Sequence, residues 1–509
     1  MGALMCAAAL LLAACGSSDT NGAAAGAEVD PSATLEVAIG SPIGGWDPHH
    51  EGVEAVGIAY HMHVYDRLVQ MEGNNEIAPM LATEWTTDET GTVHTFKLRE
   101  DVTFHDGSAF DAAVAKASLD RARGPESSLS RYLTSIDSVD VADKYTLTIR
   151  TSEPAPILLQ SLARPLASII SPKGLADPAS LATTPAGSGP YTLASASPSE
   201  VRFTRADDYW DKNRTFAAHQ ILHVMDDDAA LNALRSGQVQ VMQPRGGSAR
   251  SQAATFESDS NYAVHAHETL GMQTLYLNSK VAPFDNAEVR RAAVLALDPA
   301  AISEGSLAGT CTPTSQPMIK GFAGYVDGLE TKRNLDEAKN ILQREGASGT
   351  VVKLMQLAAE PFATQALMVQ SQLQEAGFTV EMQSVDRLQS RGSWRRGDYS
   401  AMATAWTPAF GTDPAMMMEE YRGVDNLGGA SPEMIGLLDK ARPLPAGSKE
   451  RDQAYQEVAR LAARENQVIP YCSPAHLMFA NASVAGLDDM PYAVNTVPVY
   501  VHAQVREQG

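Results

Sequence analysis

Beyond residue 16 no apolar run approaches the length of a membrane span, so the body of the chain is expected to fold in water. Cysteine is scarce, four in 509 residues, which excludes a dense disulfide framework. Basic residues are in deficit: 39 Lys and Arg face 61 Asp and Glu, for a formal charge of −22. A body so acidic is unsuited to nucleic acid or an anionic membrane surface and suits solubility outside a cell. After the N-terminal segment there is no heptad run, short-period repeat or low-complexity block. Chemistry-bearing motifs are missing too. No Gly-x-Ser-x-Gly elbow is present. Gly187-Ser188-Gly189-Pro190 is not followed by the Lys-Ser or Lys-Thr of a phosphate loop, and His267-Glu268 opens a zincin-like pattern that Gly271 and Met272 fail to complete. No nucleophile–base constellation emerges, which argues against a hydrolase.

What is present begins with Leu12-Ala13-Ala14-Cys15, which ends an apolar run and precedes small and polar residues. A short hydrophobic segment with small residues at its end reads as an export signal. A cysteine after Leu-Ala-Ala resembles the lipobox of bacterial lipoproteins. Residues 1–14 are then a signal peptide, Cys15 the acylated residue, and 15–33 a flexible tether. No Lys or Arg precedes Cys15, a departure from such signals. An exported body works without cytosolic ATP or nicotinamide cofactors. Cys311 and Cys472 lie in that body, either bridged across a long loop or as two buried thiols.

Periodicity places strands at 35–39, 93–98, 145–150, 221–224, 239–242, 351–355 and 378–382. Helices are expected at 111–121, after Asp228, after Asp285-x-x-Glu288 and after Asn334-x-x-Glu337. Another carries Ala366, Val369, Leu373 and Ala376 on one stripe and stops at Gly377. Strand, helix and strand over 351–382 make a βαβ unit, so the class is α/β with at least two cores. The histidines His49, His50, His61 and His63 form the one dense cluster. On a helix over 53–69, His61 and His63 point roughly 200° apart, so metal binding is not assigned there. Asp226-Asp227-Asp228 is read as helix-capping rather than as a calcium site.

A series of ordered blocks then resembles one family. Tyr65-Asp66-Arg67-Leu68-Val69, Leu81-Ala82-Thr83-Glu84-Trp85, Phe96-Lys97-Leu98-Arg99 and Val102-Thr103-Phe104-His105-Asp106-Gly107 come first. Pro185 to Tyr191, Tyr209-Trp210, Tyr276-Leu277-Asn278, Pro283-Phe284-Asp285, Val289-Arg290-Arg291-Ala292, Ala296-Leu297-Asp298, the segment 406–414 and Val468-Ile469-Pro470 follow in order. The chain resembles the peptide- and nickel-binding solute receptors of ABC importers, solute-binding protein family 5. The resemblance implies a two-lobed periplasmic-binding-protein-like fold, type II, cluster C, with an extra subdomain in the first lobe. Lobe 1 is expected at 34–269 with the insertion at 51–166, lobe 2 at 270–474, and a return to lobe 1 at 475–509. Hinges are expected at 270–276 and 470–478.

The same resemblance implies a small solute enclosed between the lobes and handed to permease subunits, with no enzyme activity, no cofactor and a monomeric, envelope-anchored protein. Trp406 is expected to face the cleft, or else to anchor the core of lobe 2. Phe410 falls where the nickel-receptor branch has a ligand-side aromatic. Asp413 offers a carboxylate in an Asp-Pro turn. Arg131 is expected to grip a ligand carboxylate, or to face solvent. Trp46 lines the cleft mouth or packs within lobe 1. The dipeptide branch places an Asp three residues after the tryptophan; here that position is Ala409, which speaks against ordinary free-amine peptides. Short peptides, chelated nickel and other carboxylated solutes remain open as ligands. A ligand-binding sensor without transport is the alternative role.

Overall fold

The computed structural model describes residues 28–506, except 51–52, 73–75, 126, 128–129, 213–215, 268, 358–359, 386, 407–413, 419, 424–429 and 489–499. The signal segment and Cys15 lie outside the described residues. No helix among the described residues is long and apolar enough to cross a membrane.

Two mixed sheets organise the chain. The seven-stranded sheet runs, in spatial order, Tyr262–His267, His476–Asn481, Val241–Met242, Thr34–Ile39, His219–Val224, Glu200–Arg205 and Tyr191–Ser197. Thr34–Ile39 is parallel to both His219–Val224 and Val241–Met242. The six-stranded sheet runs Cys311–Pro313, Val468–Pro474, Met272–Leu277, Ala401–Trp406, Val351–Leu357 and Thr379–Val385. Val351–Leu357 is parallel to both Thr379–Val385 and Ala401–Trp406. The chain passes from the first sheet to the second between His267 and Met272 and returns between Pro474 and His476.

A four-stranded antiparallel sheet, Ala82–Thr87, Val93–Leu98, Thr146–Thr151 and Ile136–Asp143, stands apart from both. Its core, with Phe96, Leu119, Leu147 and Ile149 fully enclosed, runs from Leu68 to Ile169. Helix Val53–Val64, inside the expected 51–166 insertion, instead sends Ile58, Ala59, Tyr60 and Val64 into the core of the seven-stranded sheet. The C-terminal return packs on that core through Leu487, Tyr500 and Val501. The end of the expected tether is not loose: Asp30 N–H donates to the Val505 carbonyl at 2.9 Å.

Local sequence accounts for most element ends. Asn334 caps Leu335–Arg344 by accepting from the Glu337 amide, and Gly377 closes Phe362–Ala376 at φ +108°. Two expected caps move. Asp226, not Asp228, accepts from the Ala229 amide, so Asp227 and Asp228 occupy the first turn, where negative charge is favourable. Asn286, not Asp285, accepts from the Glu288 and Val289 amides and starts Ala287–Ala296. In both cases several residues with cap-forming side chains sit in a row, and tertiary packing selects one.

Several of the recognised blocks meet at Asp66. Its carboxylate accepts from Ser188 Oγ at 2.9 Å, Tyr209 Oη at 3.1 Å and Trp210 Nε1 at 3.0 Å. Burial raises this carboxyl to about 6, and the hydrogen bonds oppose the rise. Gly187 is obligatory beside it, because a Cβ there would lie 1.9 Å from the Val64 carbonyl oxygen. His105 donates its backbone N–H to Gly187 and contacts the Gly189 carbonyl through Nε2. These blocks therefore hold lobe 1 together.

Candidate functional site

In sheets with parallel strands, ligands bind beyond the carboxyl ends of those strands. The first sheet's parallel strands end at Ile39, Val224 and Met242. The loops that follow are bound to each other: Arg245 donates from Nη1 to the Gly40 carbonyl at 2.9 Å and from Nε to Asp227 at 3.0 Å. In the second sheet the parallel strands end at Leu357, Val385 and Trp406. The two sets of ends approach one another. A Cβ on Gly246 would stand 3.5 Å from Glu360 Cβ, and one on Gly247 would stand 2.7 Å from the Ser306 carbonyl oxygen. Helix Pro299–Leu307, which carries Ser306, packs on the six-stranded sheet, so these are contacts between the two sheet systems.

The two crossings lie side by side. Thr269 Oγ1 donates to the Pro474 carbonyl at 2.9 Å, and Ser473 Oγ donates to the Thr269 carbonyl at 2.6 Å. Arg250, almost fully enclosed, spans the junction, donating to Thr310 Oγ1 at 2.7 Å and the Ala475 carbonyl at 3.1 Å. Cys311 and Cys472 are bridged, with Cα atoms 5.5 Å apart, which ties edge strand Cys311–Pro313 to the strand that feeds the return crossing. Of the two options left open by the sequence, the bridge is the one formed.

Trp406 ends its strand directly opposite Met272, the first residue after the outward crossing. That register puts the end of strand Ala401–Trp406 beside the outward crossing. Phe410, Asp413 and Ala409 lie outside the described residues, as does the Trp406 side chain. Arg131 lies in a short 3-10 turn, Ser130–Leu133, and its side chain is likewise outside the description. Trp46 is 2 % exposed. Its ring meets Phe203 edge-on at 6.0 Å and lies 6.2 Å from His61, and its carbonyl accepts from Tyr65 Oη at 2.8 Å. Packing within lobe 1, the other sense given to this residue, describes that environment.

The histidine cluster does not converge. His61 Nε2 pairs with the Gly45 carbonyl at 3.0 Å. His63 Nε2 pairs with Gln220 Oε1 at 2.8 Å, its ring stacked 4.4 Å from Phe203. His49 lies elsewhere, against Ser168 and Arg121. Sequence reasoning missed the role of Arg121. It makes two hydrogen bonds to Asp47, 2.6 and 2.9 Å, and so clamps the loop after the first strand to helix Ala112–Ala122. Burial acts to raise the Asp47 carboxyl, and the Arg121 hydrogen bonds, the His49 amide and the charge of Arg121 together outweigh it and leave it below the ordinary range. No local pattern signals this pair, 74 residues apart in sequence.

Farther out, the four-stranded region touches the second lobe. Glu153 pairs with Arg442 at 3.1 Å, and Ile157 packs against the core that contains Trp394, Tyr421 and Leu438.

Residues 76–427 match the profile of the bacterial extracellular solute-binding proteins, family 5 Middle. The chain is 26 % identical over 357 residues to the glutathione-binding protein GsiB of Pectobacterium atrosepticum, covering 69 % of each. Its fold is similar to that of DppA from Helicobacter pylori in complex with peptide STSA, with TM-score 0.83, 21 % identity and coverage of 94 % and 98 %. It is also similar to NikA from Brucella suis in complex with Fe(III)-EDTA, with TM-score 0.80, 20 % identity and coverage of 94 % and 100 %. The mixed α/β, two-lobed periplasmic-binding-protein architecture expected from the sequence is the one observed.

Proposed function

The chain belongs to the bacterial extracellular solute-binding proteins of family 5, and from that premise we propose that it captures a small carboxylated solute between two lobes and delivers it to the permease of an ABC importer. The observation that carries this reading is the convergence of the carboxyl-end loops of two sheets across two adjacent crossings. Lobe 1 comprises 34–269 and the return from 475, and lobe 2 comprises 270–474; rotation is taken up within the expected hinges, 270–276 and 470–478. Cys15 carries the lipid that keeps the body at the membrane. The protein acts by binding and has no catalytic residues.

Within the cleft, Trp406 stacks on the ligand from lobe 2, with Phe410 and Asp413 beside it on the same loop. Arg131 supplies the guanidinium for a ligand carboxylate. The relative and the structural neighbours are described with glutathione, a tetrapeptide and a metal chelate, so these three classes are the ones to screen. Ala409 in place of a carboxylate favours ligands whose recognition does not depend on a free α-amine.

Native mass spectrometry of protein purified without denaturation is expected to show a bound small molecule. Trp406→Ala is expected to weaken binding about tenfold or more, the loss of a stacked aromatic in a desolvated site. Unchanged affinity in Trp406→Ala would remove this residue from the site. Strong thermal stabilisation by many free-amine dipeptides would overturn the specificity drawn from Ala409.

A further inference from the structure

We propose that His265, His267 and Asp488 form a binding site for one divalent transition-metal ion of the zinc, nickel and copper class, at the foot of the hinge on lobe 1. Strand Tyr262–His267 is an edge strand of the seven-stranded sheet. Residues two apart on a strand share a face, so His265 and His267 project together. Asp488 reaches the same face from the C-terminal return, where its neighbour Leu487 is packed into the lobe 1 core. His265 Nδ1 lies 2.6 Å from Asp488 Oδ1, and His267 Nε2 lies 3.6 Å from the same oxygen. One donor atom from each of the three residues lies within 4.8 Å of the others.

That spacing suits a metal ion. Four ligands at 2.0–2.1 Å in a tetrahedron stand about 3.3 Å apart. The three groups need only small adjustments, and the 70 % exposed Asp488 side chain has room to make them. Two imidazoles and one carboxylate leave a coordination position open to water or an outside ligand. Imidazole-rich donor sets suit zinc, nickel and copper, whereas magnesium and calcium favour sets made of oxygen.

A second observation points to the same place. His476 is the direct cross-strand partner of His267, so its side chain is on the same face of the sheet. It is 5 % exposed, and neither of its ring nitrogens has a hydrogen-bond partner among the described residues. Buried polar atoms are rarely left in that state. The nearby Arg250 is spent on Thr310 and the Ala475 carbonyl, not on Asp488. Ion pairing with Asp488 accounts for His265 and His267 but not for the enclosed His476 beside them.

The placement gives the ion a consequence. His267 is the last residue before the outward crossing, and His476 the first strand residue after the return. An ion held here joins the C-terminal return to the point from which both crossings leave lobe 1. The sequence signal is His-x-His, which is a chelating pair on a strand and not on a helix. A search for helical His-x-x-x-His spacing passes over it.

The test uses the untagged full-length chain, stripped with chelator and titrated calorimetrically with zinc and, separately, nickel salts. One ion per chain is expected, together with a higher thermal unfolding midpoint. Affinity is expected to fall tenfold or more in His267→Gln and in Asp488→Asn, and the thermal gain to disappear in both. Circular dichroism of the apo variants establishes that they fold. If neither ion binds the wild-type chain, or if both variants bind as tightly as it does, the site does not exist.

Discussion

Acidification from pH 7 to pH 5 is expected to destabilise this protein through four enclosed imidazoles. Burial lowers His49, His61 and His63 to about 4 and His476 to about 3, with Arg121 adding to the effect at His49 and Arg250 at His476. Each ring is neutral in the fold, while in the unfolded chain it titrates near 6.5. Between those values the unfolded state binds more protons, so the stability is present above pH 6.5 and is lost as the pH falls towards about 4. At pH 5 each ring has withdrawn about 2 kcal/mol. Asp66 works in the opposite sense. Its folded carboxyl near 6 takes up a proton before the unfolded one does, which returns about 1 kcal/mol on acidification. The net loss is then at most about 7 kcal/mol, comparable to the whole stability of many domains. His63 is the best reporter. Gln220 turns its Nε2 towards Tyr191 Oη and the Tyr500 carbonyl, which leaves Oε1 as the acceptor and makes His63 Nε2 the donor. His63→Gln keeps a donor there and removes the titration. Urea unfolding at pH 7, 6 and 5 should show the wild type losing stability steeply and His63→Gln losing about 2 kcal/mol less over the same range. Parallel pH profiles for the two proteins would refute the assignment.

Two further perturbations probe the hinge and the rim. The bridge from Cys311 to Cys472 spans a sequence separation of 161 residues, and on loop-closure entropy its removal in Cys311→Ala/Cys472→Ala should cost up to about 5 kcal/mol in chemical denaturation. A reductant should lower the thermal midpoint of the wild type and leave that double variant unmoved. The partly exposed Glu153–Arg442 pair joins the four-stranded region to the second lobe, and such a pair is worth at most about 1 kcal/mol. Glu153→Gln should therefore weaken ligand binding by up to about fivefold at low salt and by less at high salt. Unchanged affinity at low salt would mean that the pair plays no part in closure.

Elements with strong periodicity and clear stops were legible without coordinates. The βαβ unit emerged as Val351–Leu357, Phe362–Ala376 and Thr379–Val385, with its inward stripe and Gly377 where expected. Strand Val93–Leu98 and the Asn334 cap likewise match. Asp226 and Asn286 did not stand out, because neighbouring residues carry equally good capping groups and only packing separates them. The recognised blocks identified the architecture, yet several of them prove to be a buried network around Asp66. A persistent block marks a physical constraint without saying whether it is packing or ligand.

The site was legible only in outline. Position along the chain suggested the hinges and the Trp406 segment, and the strand register put Trp406 opposite the outward crossing. Trp46 reads equally well as a cleft or a core aromatic in sequence, because a large ring serves both; its burial against Phe203 is a tertiary fact. The Arg121–Asp47 clamp and the His265, His267 and Asp488 cluster join residues 74 and more than 200 positions apart. By itself the sequence determined the class, the order of elements and the family, because periodicity, turn chemistry and ordered blocks are local properties. Which distant groups meet was decided by the tertiary structure alone, because sheet register and lobe packing set distances that no local pattern encodes.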